Sequence, residues 1–562
     1  MHSDEPMALP TPAETAPLAP ADACAPTVKP GTSLNRRDFF GRAALLTAGV
    51  AGLTALPLAA ESEIGPLSPN QRRQACLRLR MEAAQEGFLA GIPSHPDNGD
   101  EDRYPSRIGN FSKGLPHNAR GEVLPGAYRS LLTALSTGRP ADFENIQLGL
   151  GQPLTNPQAG LAFDMEGPDA QALAIPPAPA LASAEEAGEA VELYWMALLR
   201  DVPFGDYATH PGTLAACAEL SRLSDFRGPK QAGAVTPQTL FRGNTPGDLN
   251  GPFLSQFLWR NIPYGALPIT QQMQTVVPGV DYLTSYDDWL NVQNGGPYPP
   301  DQFDPTPRYI RNLRDMGQWV HVDALYQAYL SACLILLGMN APLDPGNPYV
   351  RSRTQTGFGT FGNPHVLTLV TEVATRALKA VWFQKWYVHR RLRPEAYGGL
   401  VHQVLANHAD YPIHPDMLHS AAAQSVFSRY GTYLLPMAFP EGCPTHPAYG
   451  AGHATVAGAC VTILKAWFDE SYILPDPVAP NADGTALVPI QAALTVGGEL
   501  NKLAANVAIG RNGAGVHWRS DYAQSILLGQ RVALGLLREA KPCYNEPFSL
   551  TLTTFDGTLV TI

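Results

Sequence analysis

Residues 319–338 (WVHVDALYQAYLSACLILLG) restrict the fold more than any other part of the chain, because on a helix they are apolar nearly all round. A helix of this kind must lie deep in a bundle of other helices. Four further stretches with helical periodicity predict its neighbours: residues 184–200, 367–390, 452–468 and 521–539. Strand patterns are sparse, and the best is a hairpin over residues 549–562 that turns at Asp556-Gly557. The sequence therefore predicts a mainly α fold.

The composition agrees with a helical core joined by long loops. Hydrophobic residues make up 45% of the 562 residues, which argues against disorder. The chain has 51 glycines and 53 prolines, an excess that predicts long ordered loops. Its formal charge of −11 argues against a general nucleic-acid binder, because such a protein needs a large basic face.

Residues 1–60 have the features of an export segment. Residues 1–35 are rich in Ala, Pro and Thr, which predicts a disordered extension. Arg36 and Arg37 precede an uncharged stretch over residues 43–60, and this arrangement resembles a twin-arginine signal. The alternative is a single transmembrane anchor, against which Gly49, Gly52 and Pro57 argue. We expect export to the periplasm or the cell exterior, with no stable membrane association after the signal is removed.

The first of three chemical motifs is residues 385–394 (KWYVHRRLRP). Lys385 and Arg393 are eight positions apart, a little over two helical turns. Both side chains can therefore point one way at the end of a helix that Pro394 stops. The alternative is a solvated basic helix face.

The second motif is residues 444–455 (PTHPAYGAGHAT). A glycine-rich turn leads into a helix of small residues, whose free N–H groups form an anion site. His453 is placed to donate to a bound oxyanion. The alternative is a structural histidine at a helix start.

The third motif is residues 511–521 (RNGAGVHWRSD), in which Arg511 and His517 flank a glycine-rich turn. Asp521 follows His517 by four residues and can orient its imidazole if the backbone is helical there. Taken alone, this motif also fits a structural histidine.

Together the motifs supply two arginines, a lysine and two histidines, which form a cage for a tetrahedral oxyanion. Their order and spacing resemble the vanadium-dependent haloperoxidases, a family that shares its anion site with the acid phosphatases of the phosphatidate phosphatase type 2 superfamily. Residues 134–206 also resemble the N-terminal part of red-algal-type bromoperoxidases and their bacterial relatives. The resemblance spans most of residues 60–560 and implies two four-helix bundles with long loops and minor β structure.

The resemblance implies a vanadate(V) cofactor and assigns residues to hold it. His517 would be the vanadium ligand. Lys385, Arg393 and Arg511 would hold the other vanadate oxygens, with help from the Gly452 N–H group. Vanadium would remain at +5 and act as a Lewis acid.

The resemblance also implies a peroxidase that uses hydrogen peroxide to oxidise bromide, and iodide as well, to hypohalous acid, which then halogenates small organic acceptors. His453 matches the acid/base histidine of the family, and Lys385 would polarise the peroxide. His446 matches a histidine typical of the bromoperoxidases. Trp382, one helical turn before Lys385, either lines the pocket or packs in the core, and Asp521 supports His517.

Ala451 is a departure from the family, which usually has serine before the Gly-His pair. The lost hydrogen bond would weaken vanadate binding by about 10–150-fold, since such a bond to a charged acceptor is worth about 1.5–3 kcal/mol. Two alternatives follow: a phosphohydrolase with His517 as phosphoryl acceptor and His453 as general acid, or a relative without redox activity. Residues 351–370 contain no Asp or Glu, so we predict no structural divalent cation there.

The resemblance gives the predicted organisation. Residues 1–60 form the export segment, residues 61–330 a helical scaffold and oligomerisation region, and residues 331–562 the catalytic bundle. Residues 61–562 are expected to form one compact unit. The family also implies a homo-oligomer, from a dimer to a dodecamer.

Overall fold

The computed structural model describes residues 66–562, and most of their regular structure is helical. The prediction of a mainly α fold is therefore confirmed. The first eight α-helices of this part are α1 Pro69–Ala90, α2 Asp100–Arg103, α3 Pro125–Thr137, α4 Pro140–Phe143, α5 Ala184–Leu198, α6 Pro211–Leu220, α7 Tyr286–Gln293 and α8 Leu313–Val322. The next eight are α9 Gln327–Gly338, α10 Asn363–Phe383, α11 Pro394–Leu405, α12 Pro415–Leu418, α13 Ala421–Tyr430, α14 Gly452–Trp467, α15 Val496–Gly513 and α16 Arg519–Ala540.

The β structure of residues 66–562 consists of three short antiparallel pairs. The strands are β1 Ile262–Tyr264, β2 Leu267–Ile269, β3 Val478–Pro480, β4 Leu487–Pro489, β5 Thr551–Thr553 and β6 Leu559–Thr561. Leu552 pairs with Val560 across the Asp556-Gly557 turn, so the hairpin predicted for residues 549–562 is confirmed.

Helices α10, α14, α15 and α16 pack together as a bundle, with α14 at its centre. Every residue of α14 except His453 is buried. Gly458 and Gly529 bring α14 and α16 close, because a Cβ at Gly529 would collide with the Thr455 carbonyl and one at Gly458 with that of Ile526. A second group of helices, α6, α12 and α13, packs around α5. The helices predicted over residues 184–200, 452–468 and 521–539 are thus confirmed as α5, α14 and α16.

The single helix predicted over residues 319–338 is wrong, because the chain forms two helices, α8 and α9, that meet at an angle of 99°. Asp323 ends α8 in an extended conformation. Its carboxylate is 3% exposed and accepts a hydrogen bond from the His453 ring, 3.0 Å away. Apolar periodicity does not reveal such a break, because the partner that holds Asp323 lies far along the chain.

Residues Cys76–Ile562 form one compact unit. The division at residue 330 remains a prediction. No single helix of residues 66–562 is long and apolar enough to cross a membrane, whereas the bent pair α8–α9 passes that test by length and composition when taken together. The predicted export segment, residues 1–60, lies outside the described residues.

Candidate active site

The first motif predicted a helix that Pro394 stops, but α10 ends earlier, at Phe383. It leads into a π-helical turn, Gln384–His389, and Arg390 then takes a left-handed conformation with φ 40°. Pro394 is the first residue of α11, where its fixed φ and missing N–H are tolerated. The chain therefore leaves its α-helical course between Lys385 and Arg393, and both side chains lie in one buried site.

Lys385 and Arg393 lie in this site beside the second and third motifs. The Lys385 Nζ atom donates to the carbonyl oxygens of Pro447 at 2.7 Å and Ala448 at 3.1 Å. The Arg393 guanidinium donates to the carbonyl oxygens of His446 at 2.8 Å and Val516 at 2.7 Å. Both side chains are buried, so the alternative of a solvated basic face is wrong.

Arg511 supplies a third cation from the last turn of α15. Its Nη1 atom donates to the Val320 carbonyl oxygen at 2.8 Å, and its guanidinium lies 5.4 Å from the centre of the Phe439 ring. Its Nε atom is buried and has no hydrogen-bond partner within residues 66–562. Arg511 is thus partly unsatisfied and available to an acceptor group.

The three cations lack a compensating anion among their contacts. Their hydrogen-bond partners within residues 66–562 are carbonyl oxygens and histidine rings. Burial lowers the pKa of Lys385 well below its usual value, and the neighbouring Arg393 lowers it further. Burial also lowers the pKa of Arg393, to about 10, and that of Arg511. Such a site favours the binding of a multiply charged anion.

The start of α14 adds backbone donors to the site. Gly452 is the first residue of this helix, and Ala451 at the N-cap has no polar side chain with which to cap it. The Ala451 N–H group itself donates to the Ser525 hydroxyl at 2.8 Å. A Cβ at Gly452 would lie 3.1 Å from the Trp382 ring, so glycine keeps the helix start open beside that ring. The N–H groups that follow Ala451 form an anion-binding helix terminus.

His517 lies just before α16 and is held by Asp521. The His517 Nδ1 atom is 2.7 Å from Asp521 Oδ2, which also accepts from the Trp518 N–H group at 3.0 Å. The pair forms although the helix begins only at Arg519. Asp521 accepts a hydrogen bond from the Nδ1–H group of His517. The Nε2 atom then carries the lone pair of the ring, and it lies 3.1 Å from Arg393 Nη1 in the site. Burial and the three cations hold the pKa of His517 well below its usual value.

His453 is the more accessible histidine of the site. Its side chain is 17% exposed, and its Nε2 atom contacts Asp323 Oδ1 at 3.0 Å. Burial lowers the pKa of His453, while the Asp323 carboxylate opposes that shift. Asp323 belongs to none of the three motifs, although an acidic residue inside an otherwise apolar helix pattern is a visible signal in the sequence.

His446 and Trp382 form one wall of the site. Their ring centres lie 4.9 Å apart, and the His446 Nδ1 atom is 2.9 Å from Arg393 Nη2. The centre of the Trp382 ring lies 5.6 Å from the Lys385 ammonium. Trp382 is partly exposed, and it contacts both residues at the site while also packing against the hydrophobic core.

All the residues named by the three motifs thus lie in or beside a single site. Three buried cations, a helix terminus and an oriented imidazole form an arrangement suited to binding an oxyanion, built on a helical bundle. The residues fit vanadate, because the cations match its negative charge and the His517 Nε2 atom is a suitable ligand for the metal. Ala451 stands where the family usually has serine, and it offers no side-chain donor there.

Comparisons with known proteins agree with this class. A family model described as the VCPO second helical-bundle domain matches residues 366–546. The vanadium-dependent bromoperoxidase of Corallina officinalis is 38% identical over 87% of this chain and 98% of its own length. That of Ascophyllum nodosum is 36% identical over 88% of this chain and 93% of its own. The chain belongs to the family of vanadium-dependent bromoperoxidases, which confirms the resemblance seen in its motifs.

A solved structure extends the match to the whole fold. The homohexameric second vanadate-dependent bromoperoxidase of Ascophyllum nodosum superposes with a TM-score of 0.85 and is 32% identical. The match covers 92% of this chain and 95% of the other. The fold is therefore that of the bromoperoxidases along nearly its entire length.

Proposed function

We propose that this protein is a vanadate-dependent peroxidase that oxidises bromide, and iodide as well, with hydrogen peroxide. The observation that carries the proposal is the convergence of Lys385, Arg393 and Arg511, without a contacting carboxylate in the described chain, on an imidazole oriented by Asp521. Bromoperoxidase relatives that match this chain along nearly their whole length support the same function. The phosphohydrolase alternative is not favoured by these relatives.

His517 would bind the vanadium through Nε2, and the three cations with the Gly452 N–H group would hold the vanadate oxygens. Bound vanadate would supply a Lewis acid that activates hydrogen peroxide toward the halide. Asp521 keeps the proton on Nδ1, so that Nε2 remains free of it. Lys385 is buried beside Trp382 and can donate to a bound oxygen.

Proton delivery is the second task of the site. Conversion of hydrogen peroxide and bromide to hypobromous acid and water consumes one proton. His453 is the partly exposed acid/base group, and its contact with Asp323 favours the protonated ring. His446 beside Trp382 would face the halide approach. Hypobromous acid released from the site would then halogenate small organic acceptors.

The decisive experiment uses protein prepared without vanadium. Bromination of a diketone dye by hydrogen peroxide and bromide is measured before and after addition of orthovanadate in phosphate-free buffer. We expect activity only with vanadate, and suppression of it by phosphate, which competes for the same cations. The control is His517→Ala, which should lose activity and tight vanadate binding together. Phosphate-ester hydrolysis without bromination would refute the proposal.

We propose further that the protein acts as a homo-oligomer after export. The homohexameric relative supports the assembly, and light scattering of the purified protein tests it. The Arg36-Arg37 pair supports the twin-arginine route to the periplasm or cell exterior. Arg36→Lys combined with Arg37→Lys should retain the protein inside the cell, as measured by fractionation.

A further inference from the structure

Helix α5 carries a row of three buried glutamates, Glu186, Glu189 and Glu192, spaced three residues apart. All three point toward the first turn of α16 or the segment before α11. Glu186 and Glu189 bind Arg391, with Glu189 Oε2 3.0 Å from Arg391 Nη2. Glu192 binds Arg519, whose Nε atom is 2.7 Å from Glu192 Oε2. A helix of the N-terminal half thus holds the start of the helix that carries Asp521.

Arg391 bridges this row to the site. Its Nη1 atom donates to Asp521 Oδ1 at 2.9 Å and to the Ser520 hydroxyl at 2.8 Å, while Nη2 serves the two glutamates. The guanidinium lies 4.8 Å from the centre of the Trp518 ring. Asp521 therefore accepts a hydrogen bond from Arg391 on Oδ1 and one from His517 on Oδ2.

We propose that Arg391 is a positioning residue for vanadate binding, acting through Asp521 on His517. The proposal rests on the function proposed above. A planar guanidinium fork can donate to the Asp521 carboxylate through Nη1 and to the two glutamate carboxyl groups through Nη2, which fixes the plane of the Asp521 carboxylate. That plane sets the direction of the His517 ring and of its Nε2 lone pair. Groups of this kind behind a metal-binding histidine typically change metal affinity by about 10–100-fold.

Arg519 offers a matched comparison. It is also buried, also lies beside the start of α16 and also pairs with a glutamate of α5. Its remaining hydrogen bond, however, goes to the Arg242 carbonyl oxygen at 3.1 Å, its guanidinium lies 5.7 Å from the centre of the Phe226 ring, and its side chain makes no hydrogen bond to Asp521 in the described chain. Substitution of Arg519 therefore measures the loss of stability caused by disturbing a buried ion pair. Substitution of Arg391 measures the same loss together with any effect on His517.

The test compares Arg391→Lys with Arg519→Lys. Lysine keeps the charge but has no fork. Vanadate affinity is measured by equilibrium dialysis with orthovanadate alone, and the His517 Nδ1 proton is followed by ¹⁵N NMR in vanadate-free protein. We expect Arg391→Lys to weaken vanadate binding by about 10–100-fold and to shift or broaden the Nδ1 proton resonance. Arg519→Lys should leave both close to wild type.

Equal vanadate affinities and unchanged Nδ1 resonances in the two variants would overturn the proposal. If Arg391→Lys does not fold, Glu189→Gln removes one anchor of Arg391 and should weaken vanadate binding in the same direction. An unchanged affinity in that variant would then count against the role. If the wild type binds no vanadate, the proposed function fails, while the NMR comparison still decides whether Arg391 positions His517.

Discussion

Asp323 Oδ1 lies 3.0 Å from Nε2 of His453, and this contact joins the end of α8 to the first turn of α14. The two residues are 130 positions apart in the chain. Asp323 lies at the break between α8 and α9, where its carboxylate reaches the imidazole. The contact favours the protonated ring in a site whose burial and cations oppose it.

Replacing Asp323 with Asn should lower the pKa of His453, because the carboxylate is the group that opposes the effect of burial. The pH–rate profile of bromination should therefore shift to lower pH, because His453 would hold its proton only in a more acidic medium. Asp301→Asn is the control, since Asp301 faces His321 and not His453. Coincident profiles for wild type and Asp323→Asn would contradict this role.

Ala451→Ser should restore a hydroxyl donor at the start of α14. We expect vanadate to bind about 10-fold more tightly or better, since a hydrogen bond to a charged acceptor is worth about 1.5–3 kcal/mol. Equilibrium dialysis with orthovanadate measures the change. A serine at this N-cap position could instead bond to the helix N–H groups, which would raise the thermal stability of the vanadate-free protein by about 1 kcal/mol. Higher stability without tighter vanadate binding would show that the hydroxyl caps the helix.

Vanadate should stabilise the wild type against heat, whereas chloride at the same ionic strength should not. Ligand at 100 times its Kd adds about 2.7 kcal/mol to the free energy of unfolding. Lys385→Met should lose much of that gain because it removes a buried cation from the site. Lys465→Met is the control, a buried lysine of α14 whose partners are Asn501 at 3.0 Å and Glu470 at 3.5 Å, away from the site. An equal vanadate response in both variants would rule out a contribution of Lys385 to binding.

The buried glutamates of α5 should make stability depend on pH. Burial raises the pKa of Glu186 to about 8 and that of Glu189 to about 7, although Arg391 opposes both shifts. The folded protein therefore holds protons that the unfolded chain has released above about pH 4.5. The stabilisation of the folded state by these bound protons is fully present below that pH, and it is lost as the pH rises toward 8. Urea unfolding at several pH values should show the wild type losing stability relative to Glu186→Gln/Glu189→Gln across this range. Parallel curves would contradict the shifts.

Local patterns were sufficient for much of the fold. The helical periodicity of residues 184–200, 452–468 and 521–539 predicted α5, α14 and α16, because burial of one face recurs every three to four residues. The same reasoning failed at residues 319–338, since apolar side chains on both sides of Asp323 give one continuous pattern. It failed again at Pro394, which begins helix α11 and does not end α10.

The sequence by itself determined the chemistry available at the site: Lys385, Arg393, Arg511 and the two motif histidines, in an order that resembles one enzyme family. Their spacing in the chain also determined that Asp521 could reach His517, because the two are close neighbours. Tertiary structure alone decided that Asp323 meets His453 and that Glu186, 205 positions away, meets Arg391. The hydrophobic periodicity of a sequence indicates interactions only within one or two helical turns of a residue. Contacts across such separations depend on how whole helices pack.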